Sequence, residues 1–258
     1  MTSAAAKRVR QQIMPWFITV ALLILWEVLT RASGISNVVL PPPSEIMQAI
    51  VRYRDVITQH ALQTLVTTMI GFALALAAGI LIGLAIGAWS EVYRGVYPLL
   101  IAFNAIPKVA LMPLFVLWCG IGAIPAVLTA FSLAVFPIVV NVATGIATIE
   151  PEMEDVMRSL GARRDEILVK VGIPRSMPYL FASLKVAITL AFVGSVISET
   201  VASNEGIGFL LMGAAARFEV SLVFAGLVVV AVMAVVAYAI CEYVETRMAH
   251  WAFRARSG

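Results

Sequence analysis

The sequence predicts an all-α polytopic membrane protein of about six transmembrane helices, with a pair of short polar helices between the fourth and the fifth. Three observations predict it. Of 258 residues, 61% are hydrophobic and only 13% charged, a surplus of apolar side chains that one water-soluble core does not absorb. Long stretches, among them 56–90 and 109–149, contain no Lys, Arg, Asp or Glu. The one strongly polar interior stretch, Glu150 to Pro178, carries Arg158, Arg163, Arg164, Lys170 and Arg175 between two apolar runs.

The spans follow from the charge-free runs, because an ionised side chain at the bilayer centre costs about 2.5–3.5 kcal/mol and about 20 apolar residues cross the hydrocarbon. Met14 to Thr30 is the first, interrupted by Glu27, which has Arg31 one turn later as its predicted partner. Lys7, Arg8 and Arg10 ahead of it imitate a signal peptide, but the apolar stretch reaches Trp26-Glu27 without a small-residue cleavage site. We therefore expect it to stay as an anchor. The second span runs from Leu62 to Ala88. Within it Gly79, Gly83 and Gly87 recur every four residues on one helix face, a pattern that lets backbones approach closely in lipid.

The stretch 109–149 is too long for one crossing, and Cys119-Gly120-Ile121-Gly122-Ala123-Ile124-Pro125 divides it. The third span is expected over Tyr97–Trp118, kinked by Pro107 and Pro113 on either side of Lys108, and the fourth over Ala126–Thr148. The fifth runs over Tyr179–Ser198 and the sixth over Val220–Tyr243. Glu199 falls where the fifth ends, and Asn204 to Gly208 is expected to form an external turn before a short helix.

Six spans put both termini on one side. With the termini inside, twelve Lys and Arg residues lie in the cytoplasm and four outside (Arg31, Arg52, Arg54, Arg217), which sets the orientation by the positive-inside rule. The organisation expected is one transmembrane domain over 1–258, with 1–13 a cytoplasmic N-terminus and 150–178 a cytoplasmic loop. The net charge of +3 is explained by topology, so no nucleic-acid partner is expected.

The loop reads as two short helices with a glycine between them. Pro151 suits a first helical position, and Glu152, Glu154 and Asp155 place negative charge where the helix dipole favours it. Gly161 serves as a left-handed cap. A second helix, Arg163 to Val171, is expected to end at Gly172 and Pro174. Met153, Val156, Met157 and Leu160 share one apolar face, and Ile167, Leu168 and Val171 another. Such a pair either fills a groove on a partner or lies on lipid headgroups.

Several chemistries find no support. Cys119 and Cys241 have neither disulfide nor metal-ligand spacing, His60 and His250 have no partner cluster, and no phosphate-binding Gly-x-x-x-x-Gly-Lys-Ser/Thr occurs. No catalytic residue, no metal and no bound cofactor is expected. Lys108 at membrane depth either attracts an anionic solute, snorkels to the headgroups or pairs with a carboxylate. Asn104 and Asn141 either line a path or hydrogen-bond between helices.

Glu154-Asp155-Val156-Met157-Arg158-Ser159-Leu160-Gly161-Ala162, followed by Val171-Gly172-Ile173-Pro174, resembles the cytoplasmic loop of inner-membrane permease subunits of bacterial ABC importers. Here Asp155-Val156 stands where that family has Ala-Ala, and Ile173-Pro174 where it has Leu-Pro. The likeness extends from about Pro41 to Met248 through Leu40-Pro41-Pro42-Pro43, Ile106-Pro107, Met112-Pro113-Leu114, Phe136-Pro137 with Asn141 and Gly145, Glu199, and Glu205-Gly206-Ile207-Gly208-Phe209-Leu210. Together these resemble the nitrate, sulfonate and taurine branch.

The resemblance implies a non-catalytic permease with its core over 62–248, in a bacterial inner membrane. It implies two ATPase subunits that hold ATP and Mg, a second and identical permease subunit, membrane lipid around them, and a periplasmic or lipid-anchored binding protein. Glu154, Asp155, Met157, Arg158, Leu160, Gly161, Ala162 and Arg163 become the ATPase-coupling candidates. Asn104, Lys108, Met112 and Asn141 become the path or gate candidates, for a small solute of the sulfonate, nitrate, carboxylate or vitamin-precursor kind. The alternative is a self-sufficient secondary transporter, which calls for internal repeats and buried ion-coupling carboxylates. The acids instead gather near span ends or in the loop, and the His or Asp clusters of a membrane enzyme are missing from the sequence.

Overall fold

A computed structural model describes residues 2–34, 36–148 and 151–248. It is helical throughout: α1 (Thr2–Ala32), α2 (Pro43–Arg52), α3 (Arg54–Gly87), α4 (Ser90–Ala105), α5 (Met112–Cys119), α6 (Ala123–Ala147), α7 (Pro151–Ser159), α8 (Arg164–Ile167), α9 (Ile173–Ala202), α10 (Ile207–Ala216) and α11 (Val220–Met248). Among the described residues four helices are long and apolar enough to cross a membrane, or five if the bent pair α4 and α5 is one crossing. Contacts divide the chain into two compact units, Met1–Thr58 with Leu210–Val228, and Gln59–Phe209 with Val229–Gly258.

In the first unit, Glu27 accepts the Arg31 Nε–H at 2.6 Å, the pair expected from their spacing. It also accepts the Ser44 N–H at 3.0 Å and the Ser44 hydroxyl at 2.8 Å, which ties the first turn of α2 to α1. Trp26 packs on Phe224 with ring centroids 6.0 Å apart.

The core of the second unit lies where α3, α6 and α9 meet, around Ala75, Ala134, Ile138, Val142, Phe181 and Ala187. Helices come this close only where side chains are small. A Cβ placed on Gly79 would stand 2.7 Å from the Ile138 Cβ, on Gly83 2.7 Å from the Val142 Cβ, and on Gly87 2.9 Å from the Ile146 Cβ. Gly71 meets Ala130 in the same way. Positions 71, 79, 83 and 87 therefore face 130, 138, 142 and 146 in ascending order, so α3 and α6 run parallel. On the other flank Gly194 faces Thr129 and Ala130 while Gly145 faces Ser176, so α9 runs antiparallel to α6. α11 is joined to α9 by the Lys185 Nζ to Glu245 Oε2 ion pair at 2.6 Å.

Three expectations are corrected. The third span is not one kinked helix. α4 and the segment Lys108–Cys119 meet at 74°, because Ile106 takes the extended conformation that a following proline imposes (φ −66, ψ 127). A 3₁₀ turn over Lys108–Leu111 restarts the chain, and Pro113 sits in the first turn of α5, where its missing N–H does no harm. Pro113 starts a helix and does not kink one.

Neither do Gly172 and Pro174 end the second loop helix. Gly172 is helical (φ −60, ψ −56), and the Ile173 N–H reaches back five residues to the Leu168 carbonyl. This widened π turn takes in the donor-less proline, so the chain stays helical from Leu168 through Ala202. Glu199, third, does not lie where the fifth helix ends: α9 runs on to Ala202 and Glu199 is buried within it, at 1% exposure.

Candidate functional site

Three groups of residues carry chemistry, and the first is the elbow between α7 and α8. The Gly161 backbone is left-handed (φ +81) and a Cβ there would meet nothing within 4 Å, so the turn needs glycine for its backbone alone. The Ala162 N–H returns to the Met157 carbonyl at 3.0 Å and the Gly161 N–H to that of Arg158 at 2.9 Å. This double bond pattern is the Schellman ending of a helix. α8 then starts on a capping interaction, in which the Arg163 N–H donates to Glu166 Oε2 at 2.9 Å.

Two rigid devices in six residues fix the angle of the elbow. The loop's two apolar faces, alike in sequence, separate here. Ile167 is buried at 5% exposure and Leu168 packs on the core, whereas Val156 on α7 and Leu160 just past its end are bare, Leu160 to 77%, and Met153, also exposed, accepts at its Sδ from the Arg175 guanidinium at 3.8 Å. Asp155 and Arg163 are exposed and Met157 is half-buried; Glu150 and the side chain of Glu154 lie outside the described residues.

The Glu166 carboxyl is held below its usual range, first by the Arg163 N–H and then by the Lys170 ammonium, 3.5 Å away. A lowered folded pKa means that the cap contributes fully above the ordinary glutamate range and is lost as pH falls through the lower folded value. We expect the Arg163 amide to be protected from hydrogen exchange at neutral pH and to lose protection in acid. Glu166→Ala should expose it at every pH. Equal protection in variant and parent, at neutral pH, would remove this cap.

The second group lies at the α4–α5 break. Lys108, 9% exposed, donates to Asn104 Oδ1 at 2.9 Å and to the Asn104 carbonyl at 3.1 Å, and its Nζ lies 4.6 Å from the centre of the Phe136 ring. Among the described residues it makes no ion pair with a carboxylate. It covers a carbonyl at the end of α4, where a cation suits the dipole. Met112 is buried beside it in sequence, and Asn104 is exposed. Asn141 stands apart from the pair: its Nδ2 donates to the Pro137 carbonyl at 2.8 Å within its own helix.

The third group escaped the sequence reading. Glu199 Oε2 accepts the Thr64 hydroxyl at 2.8 Å and the Gly208 N–H at 3.1 Å; Oε1 accepts the hydroxyls of Ser195 at 3.2 Å and Thr67 at 3.3 Å. A usable signal existed, since Ser195 and Glu199 are four apart and Thr64 and Thr67 three apart in otherwise oily helices.

Among the described residues, no cluster of three or more His, Cys, Asp or Glu is placed to hold a metal. Comparison with known proteins agrees with the membrane architecture. Residues 75–250 match the family described as "Binding-protein-dependent transport system inner membrane component". The chain is 31% identical to the formylaminopyrimidine transport permease protein of Halalkalibacterium halodurans, over 95% of this chain and 98% of that one. It is 27% identical to the taurine transport system permease protein of Escherichia coli, over 89% and 86%. An inward-facing structure of the MetNI methionine ABC transporter has the same fold over 77% of this chain and 95% of that one, with a TM-score of 0.63 at 18% identity.

Proposed function

The chain belongs to the family of binding-protein-dependent transport system inner membrane components, and from that membership we propose that its elbow, 150–178, is the element through which ATP hydrolysis moves its helices. It is a multi-pass inner membrane protein, the non-catalytic permease subunit of an ABC importer. An ATPase and a binding protein are its separate partners.

The observation that carries the proposal is the bare apolar face of α7 on a rigid elbow. α8 is committed to the protein's own core, so α7 is the part that projects. A groove on the ATPase suits it better than lipid does. α7 has three acids against Arg158, a net charge of −2, whereas helices that lie on anionic headgroups need a basic polar face. Asp155, Met157, Arg158, Leu160, Gly161, Ala162 and Arg163, with Glu154, form the contact and its elbow. Each of two ATPases receives one elbow and holds ATP and Mg. Their approach biases two arrangements of the spans by contacts that differ between the two.

The topology follows from the same frame. α3 and α6 run parallel, so the chain crosses the membrane between them, which supports counting α4 with α5 as the third span. With α1 as the first there are six, over one transmembrane domain, and twelve basic residues against four keep both termini and the elbow cytoplasmic. Two identical permease copies enclose the path. Asn104, Lys108, Met112 and Asn141 line or gate it for a small solute. An anion fits best, because Lys108 holds a charge that its neutral neighbours leave uncompensated.

Glu199 is the kind of buried acid that a self-sufficient secondary transporter would use, but it already accepts the Thr64 hydroxyl, the Gly208 N–H and one of the mutually bonded Thr67 and Ser195 hydroxyls. Such a set of donors suits a structural tie better than a cation site. We expect the tagged chain, purified in mild detergent, to bring down an ATPase, and uptake in proteoliposomes to need ATP. With Cys119→Ala and Cys241→Ala in place, Leu160→Cys should resist a membrane-impermeant maleimide added to intact cells. Recovery of the chain alone, with uptake driven by a proton or sodium gradient, would overturn the importer mechanism, and labelling from outside would overturn the orientation.

A further inference from the structure

We propose that Glu199 is the pin that positions α10 for transport, holding its first turn to α3 and α9 until the Ser203–Gly206 turn moves. The geometry is a chain of bonds that all end on one carboxylate. The Gly208 N–H donates to Glu199 Oε2 at 3.1 Å, and the Ile207 N–H donates at 2.8 Å to the Thr64 Oγ1 that itself donates to the same oxygen. The first two N–H groups of α10 are thus held by Glu199 or by its keeper, Thr64. One residue earlier, the Gly206 N–H donates to His60 Nδ1 at 3.1 Å. The exposed turn is braced by Ser203, whose hydroxyl donates to the Glu205 carbonyl at 2.7 Å and accepts the Glu205 N–H at 3.2 Å.

An ordinary helix start satisfies its N–H groups with its own Ser, Thr or Asp at the surface. Here a buried charge from another helix does so, and a third helix supplies the hydroxyls. Such a charge is costly unless each lone pair is met, and charge-assisted bonds are roughly twice as strong as neutral ones. The fit is close: a Cβ on Gly206 would fall inside the carboxylate, and one on Gly208 would lie 2.7 Å from the Glu199 Cβ.

The helix held in this way is built to move. At 10 residues it is about 15 Å long, half the hydrocarbon thickness. It is bracketed by left-handed backbone, Gly206 (φ +100) before it and Phe218 (φ +57) after it, the latter a non-glycine residue in a conformation that stores strain. A short rod between two left-handed residues, its start fixed by this set of bonds, has two discrete conditions, pinned and released. Displacing the Ser203–Gly206 turn pulls on the N–H groups of 206, 207 and 208 together, so release is cooperative.

The test reads the burial of Ile207, which is 0% exposed. In the assembled complex, with Cys119→Ala and Cys241→Ala, Ile207→Cys is labelled with N-ethylmaleimide with and without ATP plus vanadate. The parent should label slowly without nucleotide and at least ten-fold faster with it. Glu199→Gln keeps the shape, because the hydroxyls of Thr67 and Ser195 can turn to accept its NH2, but it removes the charge; it should label fast in both conditions. Thr64→Val should do the same, and Thr64→Ser should behave as the parent, which separates the lost hydroxyl from lost packing and decides the matter if Glu199→Gln does not assemble. Parent labelling that ignores nucleotide, or slow labelling in Glu199→Gln and Thr64→Val, overturns the pin. Neither result touches the role of the elbow, which ATPase recovery reads independently.

Discussion

Gly83→Leu is expected to deplete the membrane of folded chain. The position has no room even for one carbon, since a Cβ would lie 2.7 Å from the Val142 Cβ and 3.0 Å from the Val139 carbonyl. The first of these is a branched side chain held by its own helix, and the second is backbone, so neither yields without separating α3 from α6. Inserting carbon into such a contact costs about 1–3 kcal/mol, and leucine adds three further carbons after the first. A loss of about 3 kcal/mol or more follows, a large part of the stability that a domain of this size has to lose. Gly95→Leu is the control, because nothing lies within 4 Å of a Cβ there. Yield and thermal midpoint in detergent check the expectation, with Val142→Ala added to restore part of both. Equal midpoints for the two leucine variants would mean that α3 and α6 do not pack through this face.

Gly161→Leu should do the opposite, leaving the body of the protein intact while disconnecting it. Since the new side chain meets nothing within 4 Å, its only penalty is the left-handed backbone, about 1–2 kcal/mol for a residue with a Cβ. That penalty falls on the two bonds that close α7, from Ala162 to Met157 and from Gly161 to Arg158. The helix end frays or turns, and the bare face of Val156 and Leu160 is presented at the wrong angle. Membrane insertion and midpoint should match the parent, while ATPase recovery and uptake fall about ten-fold, the equivalent of ~1.4 kcal/mol. Gly161→Asn should lose less, as asparagine is the other residue that ends helices in this conformation. Full ATPase recovery and uptake in Gly161→Leu would remove the elbow from the coupling path.

These two glycines mark what the sequence discloses and what it conceals. Charge-free runs and glycine spacing are properties of neighbours along the chain, so the helices α3, α6, α9 and α11 and the left-handed Gly161 are legible, while α3 and α9 begin well before the expected Leu62 and Tyr179 because helix continues past the apolar run. The four-residue rhythm continues through Ala75 to Gly71. Prolines were harder. Pro107 breaks, Pro113 initiates, Pro137 is carried inside α6 and Pro174 is absorbed by a π turn, and the residue type alone does not choose among these. Glu199 was out of reach for another reason. Its partner Thr64 is 135 residues away, and an acid at the end of an apolar run looks the same whether water or buried donors await it.

The parallel seating of α3 on α6, with α9 running the other way along the opposite flank, has a mechanical outcome. Each small residue of one helix receives a ridge of the next, so sliding along either seam would drive many side chains into backbone at once. The trio can tilt but cannot shear. A push applied at one end of the trio is therefore passed on as tilt, as by a tiller, and is not taken up by sliding.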